Sequence, residues 1–307
     1  MKILVLNSGS SSLKYAVFNM QNQQMLITGV IECISENASQ HHYQLAGIAD
    51  KQSKLIQVDN HAQGLQIIFA NLASLGIIAD VNELSCIGHR VVHGGEKFCQ
   101  PTLVTDDVLE AIRQMVPLAP LHNPANIIGI EGAIAYAPNV PQVAVFDTAF
   151  HQTMPDYAYQ YAVPQSWYKE QGVRRYGFHG TSHGYVVKQA AAHLAMPLES
   201  INAISLHLGN GASIAAIQGG KSIDTTMGMT PLEGLIMGTR SGDLDPAIIF
   251  YLQKQLKLSS AEIETALNKQ SGLKGLCAEN DMRRVHALAD GGDEQAQLAL
   301  AMVSYRI

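Results

Sequence analysis

The chain has 307 residues, 20 Lys+Arg against 26 Asp+Glu, a formal net charge of −6 and a pI near 6.0. With 47% hydrophobic and 15% charged residues it is a folded chain of about two domains, and it lacks the basic stripe of a nucleic-acid binder. Cys33, Cys86, Cys99 and Cys277 form no CxxC pair, which argues against a zinc or disulfide framework and for a reducing, cytoplasmic setting. No apolar run reaches signal-peptide or membrane-spanning length, so no membrane association is expected.

The first element is a hairpin. Ile3-Leu4-Val5-Leu6 and Tyr15-Ala16-Val17-Phe18 read as strands around Asn7-Ser8-Gly9-Ser10-Ser11-Ser12-Leu13-Lys14. A turn so rich in hydroxyls and backbone N–H groups suits an anion, most often phosphate. Short strands and turns continue to about Asp59, and helical spacing covers Ala62 to Leu75. Cys86 to Val92 reads as a strand entering His93-Gly94-Gly95. Thr105 is placed to cap a helix to about Met115, and Asn123-Pro124 to start one through Tyr136. Val143 to Phe146 reads as a buried strand ending at Asp147, and the strand–helix alternation gives an α/β class.

A second part begins near residue 148. Ser182 is expected to cap an alanine-rich helix to Ala195. Strands Ile201 to Leu208 and Ile214 to Ile217 flank Gly209-Asn210-Gly211-Ala212-Ser213. Asp245-Pro246 starts a helix to about Leu256, Ser259 and Glu262 form a capping-box pattern, and Asp293 to Ile307 has helical spacing without a stop signal. The two small-residue turns fall near the starts of the two halves. They read as one duplicated phosphate-loop unit or as two unrelated glycine hairpins.

Standard nucleotide motifs fail. Ala215 to Ser222 lacks the first glycine of a Walker A loop, and Ile214 stands where a dinucleotide fingerprint needs its third glycine. His89/His93 and His179/His183 have a four-residue spacing, but without H-E-x-x-H a zinc hydrolase is disfavoured. His207, just before the second turn, is either a core histidine or part of an anion loop. Arg90 and Arg240 lie beside glycines and can reach a carboxylate or phosphate in bidentate fashion; together with two anion loops they favour an anion site over solvated surface. Asp147 either faces a crevice at a strand's C-terminal end or caps the next element.

The segments NSGSSSLKY (7–15), GHRVVHGGEKF (88–98), FDTAFHQTMP (146–155), RYGFHGTSH (175–183), HLGNGAS (207–213) and GTRSGDLDP (238–246) resemble, in order, those of the acetate kinase family. The resemblance covers essentially the whole chain. It implies an α/β fold of duplicated ribonuclease-H-like (actin-like ATPase) domains around a nucleotide cleft, here residues 1–147 and 148–307. It also implies a kinase that uses ATP and Mg²⁺ to convert acetate to acetyl phosphate and ADP, reversibly, as a homodimer.

Site roles follow from the same resemblance. Asn7 would help hold Mg²⁺ and phosphate, with Ser10, Ser12 and Lys14 completing the first loop. Arg90 and Arg240 would clamp the carboxylate and the phosphoryl group, His179 would bond phosphoryl oxygens, and Asp147 would orient the metal shell. His207, Leu208, Gly209, Asn210 and Gly211 would form the second phosphate loop, and Asp281, Met282 and Arg283 lie in a segment near the adenosine. Val92, Leu121, Phe178 and Pro231 correspond to the pocket for the acetate methyl. Val92 favours acetate over propionate or butyrate. An ionised carboxylate needs no general base, so direct in-line transfer ranks above an aspartyl-phosphate route through Asp147. A non-catalytic actin-like nucleotide module is the rival of another class, and the two arginines count against it. The family's G-G-x-G-E-N adenosine motif and a later glutamate lie beyond Ile307, so the second domain is expected to be short at its C-terminal end and the chain inactive alone.

Overall fold

The structure is a computed structural model that describes every residue except Asn37. It divides into two units, Met1–Ala149 and Phe150–Ile307.

In the first unit, strands β1 (Lys2–Ser8), β2 (Ser12–Asn19), β3 (Gln24–Glu32), β4 (Ser39–Leu45) and β5 (Gln52–Ile56) form an antiparallel run. Then come α1 (His61–Ser74), β6 (Leu84–Val91), β7 (Thr102–Leu103), α2 (Asp106–Gln114), α3 (Asn123–Tyr136) and β8 (Gln142–Phe146). One mixed sheet results, in the order β5-β4-β3-β2-β1-β6-β8-β7, with β1, β6 and β8 parallel. The alternation expected of half-buried strands is present: Leu4, Leu6, Leu13, Tyr15 and Val17 point into a core with Leu65, Ile68 and Leu72 of α1. A second core gathers Val91, Ile112, Ile127, Ile130 and Phe146. Parallel pairing of β1, β6 and β8 brings their C-terminal ends side by side, which is where Ser8, Arg90 and Asp147 stand.

The second unit holds the short helices α4 (Asp156–Tyr159) and α5 (Gln165–Gln171), then α6 (Gly180–His193). Strands β9 (Ala203–Leu208), β10 (Ala212–Gln218) and β11 (Lys221–Thr225) form an antiparallel sheet. Five helices follow: α7 (Ala247–Leu256), α8 (Ser260–Lys269), α9 (Gly272–Cys277), α10 (Met282–Asp290) and α11 (Glu294–Arg306). Val187 and Ala191 of α6 pack on Ile201, Ala215 and Ile217, while α9, α10 and α11 share a core around Leu273, Val285 and Ala296.

Capping separates good local expectations from poor ones. Thr105 caps α2, and Ser259 with Glu262 makes the complete capping box of α8. Asn123 does not cap α3. It is the first helical residue, His122 stands at the cap, and the Asn123 amide is drawn away to the backbone of His93. Nor does Ser182 cap α6, which begins two residues earlier behind His179; the Ser182 hydroxyl meets His207 instead. Among the described residues no helix is long and apolar enough to cross a membrane.

Candidate functional site

Each unit carries a hairpin that turns in three residues between its strands, Gly9–Ser11 in the first and Gly209–Gly211 in the second. Both turns are closed from within: Gly9 N–H donates to Ser12 O at 2.8 Å, and Gly209 N–H to Gly211 O at 3.0 Å.

In the first unit Asn7 and Lys14 are cross-strand partners at the mouth of the hairpin, with Ser10 exposed in the turn and Ser12 opening β2. The turn is held from outside. His61 Nε2 donates to the Gly9 carbonyl at 2.6 Å, which puts the ring proton on that nitrogen. Asn126 ties two strand ends together, donating to Ser8 O at 2.8 Å and accepting from Val92 N–H at 3.0 Å. Gly129 lets α3 approach, since a Cβ there would lie 2.0 Å from Ser8 Oγ.

The strand ends also place Arg90 against Asp147. Arg90 Nη2 reaches Asp147 Oδ2 at 2.6 Å, and Nε lies 3.1 and 3.2 Å from the two oxygens. The Arg90 side chain is 40% exposed and that of Asp147 only 4%. Burial works against the Arg90 charge, but the adjacent carboxylate outweighs it and raises the guanidinium pKa. Asp147 therefore presents oxygens already oriented by an arginine, and its backbone N–H donates to Val91 O at 2.9 Å. Val92 is buried beside this pair in sequence, whereas Leu121 is exposed.

In the second unit the loop is surrounded by histidines. His179 has φ 56°, a left-handed conformation that is uncommon for a non-glycine residue. Its Nδ1 lies 2.9 Å from Ser213 Oγ, and its ring stacks on His207 with centroids 4.1 Å apart. His207 Nδ1 meets Ser182 Oγ at 2.9 Å. His183 bridges Ser205 and Ser213 at 3.0 and 2.8 Å. Burial, then the neighbouring His151 and His207, push the His183 pKa down to about 4. His151 donates from Nε2 to the Phe178 carbonyl at 2.9 Å and lies 2.8 Å from Ser222 Oγ through Nδ1; burial pushes it to about 4, against that carbonyl bond.

Arg240 and His179 converge on the loop. A Cβ on Gly211 would lie 3.4 Å from Arg240 Nη1 and 3.5 Å from His179 Nε2. Arg240 Nη1 also donates to Pro231 O at 3.2 Å, fixing the segment that bears Pro231. That segment is braced further by Arg175, which donates to Thr225, Thr226 and Met227 carbonyls and to Glu233 Oε1 at 2.6 Å. Gly238 N–H donates to Asn210 O, and a Cβ on Gly238 would come 2.2 Å from Asn210 Oδ1. Asn280 Nδ2 reaches that same oxygen at 3.2 Å, linking the loop to Asp281. Asp281 caps α10, where the Arg283 guanidinium, then the Arg283 N–H, hold its carboxyl down to about 2; Met282 is exposed beside it.

The structure thus groups Asn7, Ser10, Ser12 and Lys14 on one hairpin, Arg90 with Asp147, and His179, His207 to Gly211, Arg240 and Pro231 around the other hairpin. Residues that sequence reasoning passed over are Asn126, Gly129, Ser205 and Asn280. Ser213 and His183 stood inside recognised segments without a role. Among the described residues, no three His, Cys, Asp or Glu are gathered to hold a metal.

The model of the acetokinase family matches residues 2–307. An acetate kinase of Helicobacter acinonychis is 51% identical over 100% of this chain and 77% of its own, and one of Sulfurovum is 54% identical over 100% and 76%. Among solved structures, a propionate kinase of Francisella tularensis superposes with a TM-score of 0.94 at 46% identity, over 99% of this chain and 77% of its own. An acetate kinase of Porphyromonas gingivalis gives 0.93 at 42%, with the same coverage. The fold is therefore α/β of the actin-like ATPase type, built from ribonuclease-H-like domains, and the chain belongs to the acetokinase family.

Proposed function

We propose that the full-length protein transfers the γ-phosphoryl group of ATP to acetate, reversibly, giving acetyl phosphate and ADP. The observation that carries this reading is the convergence of Arg240 Nη1 and His179 Nε2 on Gly211 of the second loop, where donors gather for phosphoryl oxygens. Arg90, oriented by Asp147, takes the acid's carboxylate, and Arg240 and His179 take the phosphoryl group. Ser10, Ser12 and Lys14 on one hairpin and His207 to Gly211 on the other bind the remaining phosphates, and Asp281 to Arg283 lie toward the adenosine. By the family resemblance, Val92, Leu121, Phe178 and Pro231 are assigned to the methyl group of the acid. Two domains divide within a few residues of Asp147, and the protein works as a cytoplasmic homodimer.

The acid is ionised near pH 7, so no base is required; positioning and charge neutralisation carry the catalysis. Mg²⁺ fits the donor chemistry. The Asn7 amide oxygen and the Asp147 carboxylate are hard oxygen donors of the kind Mg²⁺ takes beside waters and phosphates. When bound, the ion neutralises charge on the transferring group.

Hydroxamate detection of acyl phosphate from ATP with acetate, propionate or butyrate tests the reading. Acetate is expected to exceed the longer acids by roughly tenfold or more. Equal or better turnover of propionate would reassign the acid, and no product with any acid would sink the kinase.

A further inference from the structure

We infer that Ser213 and His183 are positioning residues that keep the ring proton of His179 on Nε2, the nitrogen aimed at the phosphoryl group. The inference rests on the reading of His179 as a phosphoryl contact. It is carried by a continuous chain of atoms: Ser205 Oγ to His183 Nδ1 at 3.0 Å, His183 Nε2 to Ser213 Oγ at 2.8 Å, and Ser213 Oγ to His179 Nδ1 at 2.9 Å. Ser213 and His183 are fully buried and Ser205 nearly so.

Two hydrogen-bond orders run consistently from Ser205 to His179 Nδ1. His183 is neutral, so it has one N–H and one lone pair. In the first order Ser205 donates to His183 Nδ1, His183 Nε2–H donates to Ser213, and Ser213 donates to His179 Nδ1. In the second every bond reverses, and His179 Nδ1 carries a proton.

The role read for His179 selects between them, because a neutral ring that donates from Nδ1 has no proton left on Nε2 for the phosphoryl group. With the His207 ring 4.1 Å away, a second proton on His179 would place an imidazolium face to face with another imidazole in a half-buried site. A neutral His179 has a single proton. To donate to an anionic oxygen from Nε2 it must leave Nδ1 bare, and bare Nδ1 requires a hydroxyl donor. Ser213 is that donor, and it is free to donate because His183 supplies the proton it accepts. The serine–histidine pair thus sets the tautomer of a residue two bonds down the relay.

The test is ¹⁵N NMR of ring nitrogens in the full-length chain, with His179 assigned through His179→Gln. Wild type is expected to show neutral His179 protonated at Nε2. Ser213→Ala is expected to show mixed tautomers, with kcat reduced roughly tenfold, the equivalent of about one hydrogen bond. KM for ATP and acetate should stay within about twofold, since a tautomer acts on the step rather than on binding. Ser213→Cys keeps the volume with a weaker donor and should fall between the two. A wild-type ring protonated at Nδ1, or Ser213→Ala with an unchanged tautomer and kcat, overturns the relay. Should Ser213→Ala not fold, the wild-type spectrum and Ser213→Cys decide. Absence of acyl phosphate from wild type would instead refute the kinase reading, and the spectra would still judge the relay.

Discussion

The two three-residue hairpins share a backbone plan and differ in what surrounds them. The Gly9–Ser11 turn is flanked by a charged pair, Arg90 with Asp147, and by amide clamps from Asn126 and Asn123 to strand ends. The Gly209–Gly211 turn is flanked by histidine rings and serine hydroxyls, with His183 and His151 kept neutral by burial. An ion pair fixes a charge in place over a wide pH range. A neutral imidazole–hydroxyl network fixes proton positions and fails when it takes up an extra proton. The same loop geometry is therefore supported by electrostatics on one side and by hydrogen-bond order on the other.

The largest expected effect comes from removing the arginine beside either hairpin. Arg90→Ala and Arg240→Ala should each lower kcat/KM for acetyl phosphate formation by about 100- to 1000-fold, the cost of losing a transition-state donor. Arg90→Ala should also lower denaturant stability by on the order of 1–2 kcal/mol. It leaves Asp147 buried without its cation, yet the loss stays below that of a fully buried pair because Arg90 reaches solvent. Near-normal rates in both variants would remove the arginines from the reaction.

Acid should break the buried neutral histidines of both units. Burial is the leading cause that holds His41, His89, His151 and His183 at about 4, against an ordinary value near 6.5. Between those values the unfolded chain binds protons that the folded chain refuses. Stability is thus fully present above about pH 6.5 and declines as pH falls toward 4, by on the order of a few kcal/mol. Urea midpoints measured across this window check it; a flat profile would contradict it.

Smaller effects compare the close approaches at the two loops. Gly129→Ala forces a Cβ toward Ser8 Oγ and should cost about 1–3 kcal/mol of stability. Gly238→Ala drives into the Asn210 side chain and should instead raise KM for ATP severalfold, by an amount worth about 1 kcal/mol. Equal effects on stability and KM in both variants would blur the distinction between the loops.

How far the sequence anticipated these surroundings depended on distance along the chain. The hairpins, the α/β class and the Thr105 and Ser259 caps rest on neighbours within a few residues, and local pattern reveals such features. Asn123 and Ser182 were read as caps because only their local context was visible; their partners, His93 and His207, lie 30 and 25 residues away. The short helices α4, α5 and α9 left no periodic trace, being at most two turns long. The Arg90–Asp147 pair spans 57 residues and follows from the parallel register of β6 and β8, which no local spacing encodes.

Direct transfer from ATP to acetate is tested most plainly by the configuration at phosphorus. ATP made chiral at the γ-phosphoryl group with oxygen isotopes would be turned over with acetate by the full-length chain. A single in-line displacement predicts acetyl phosphate of inverted configuration. Retention, the mark of two displacements through an enzyme carboxylate such as Asp147, would contradict it.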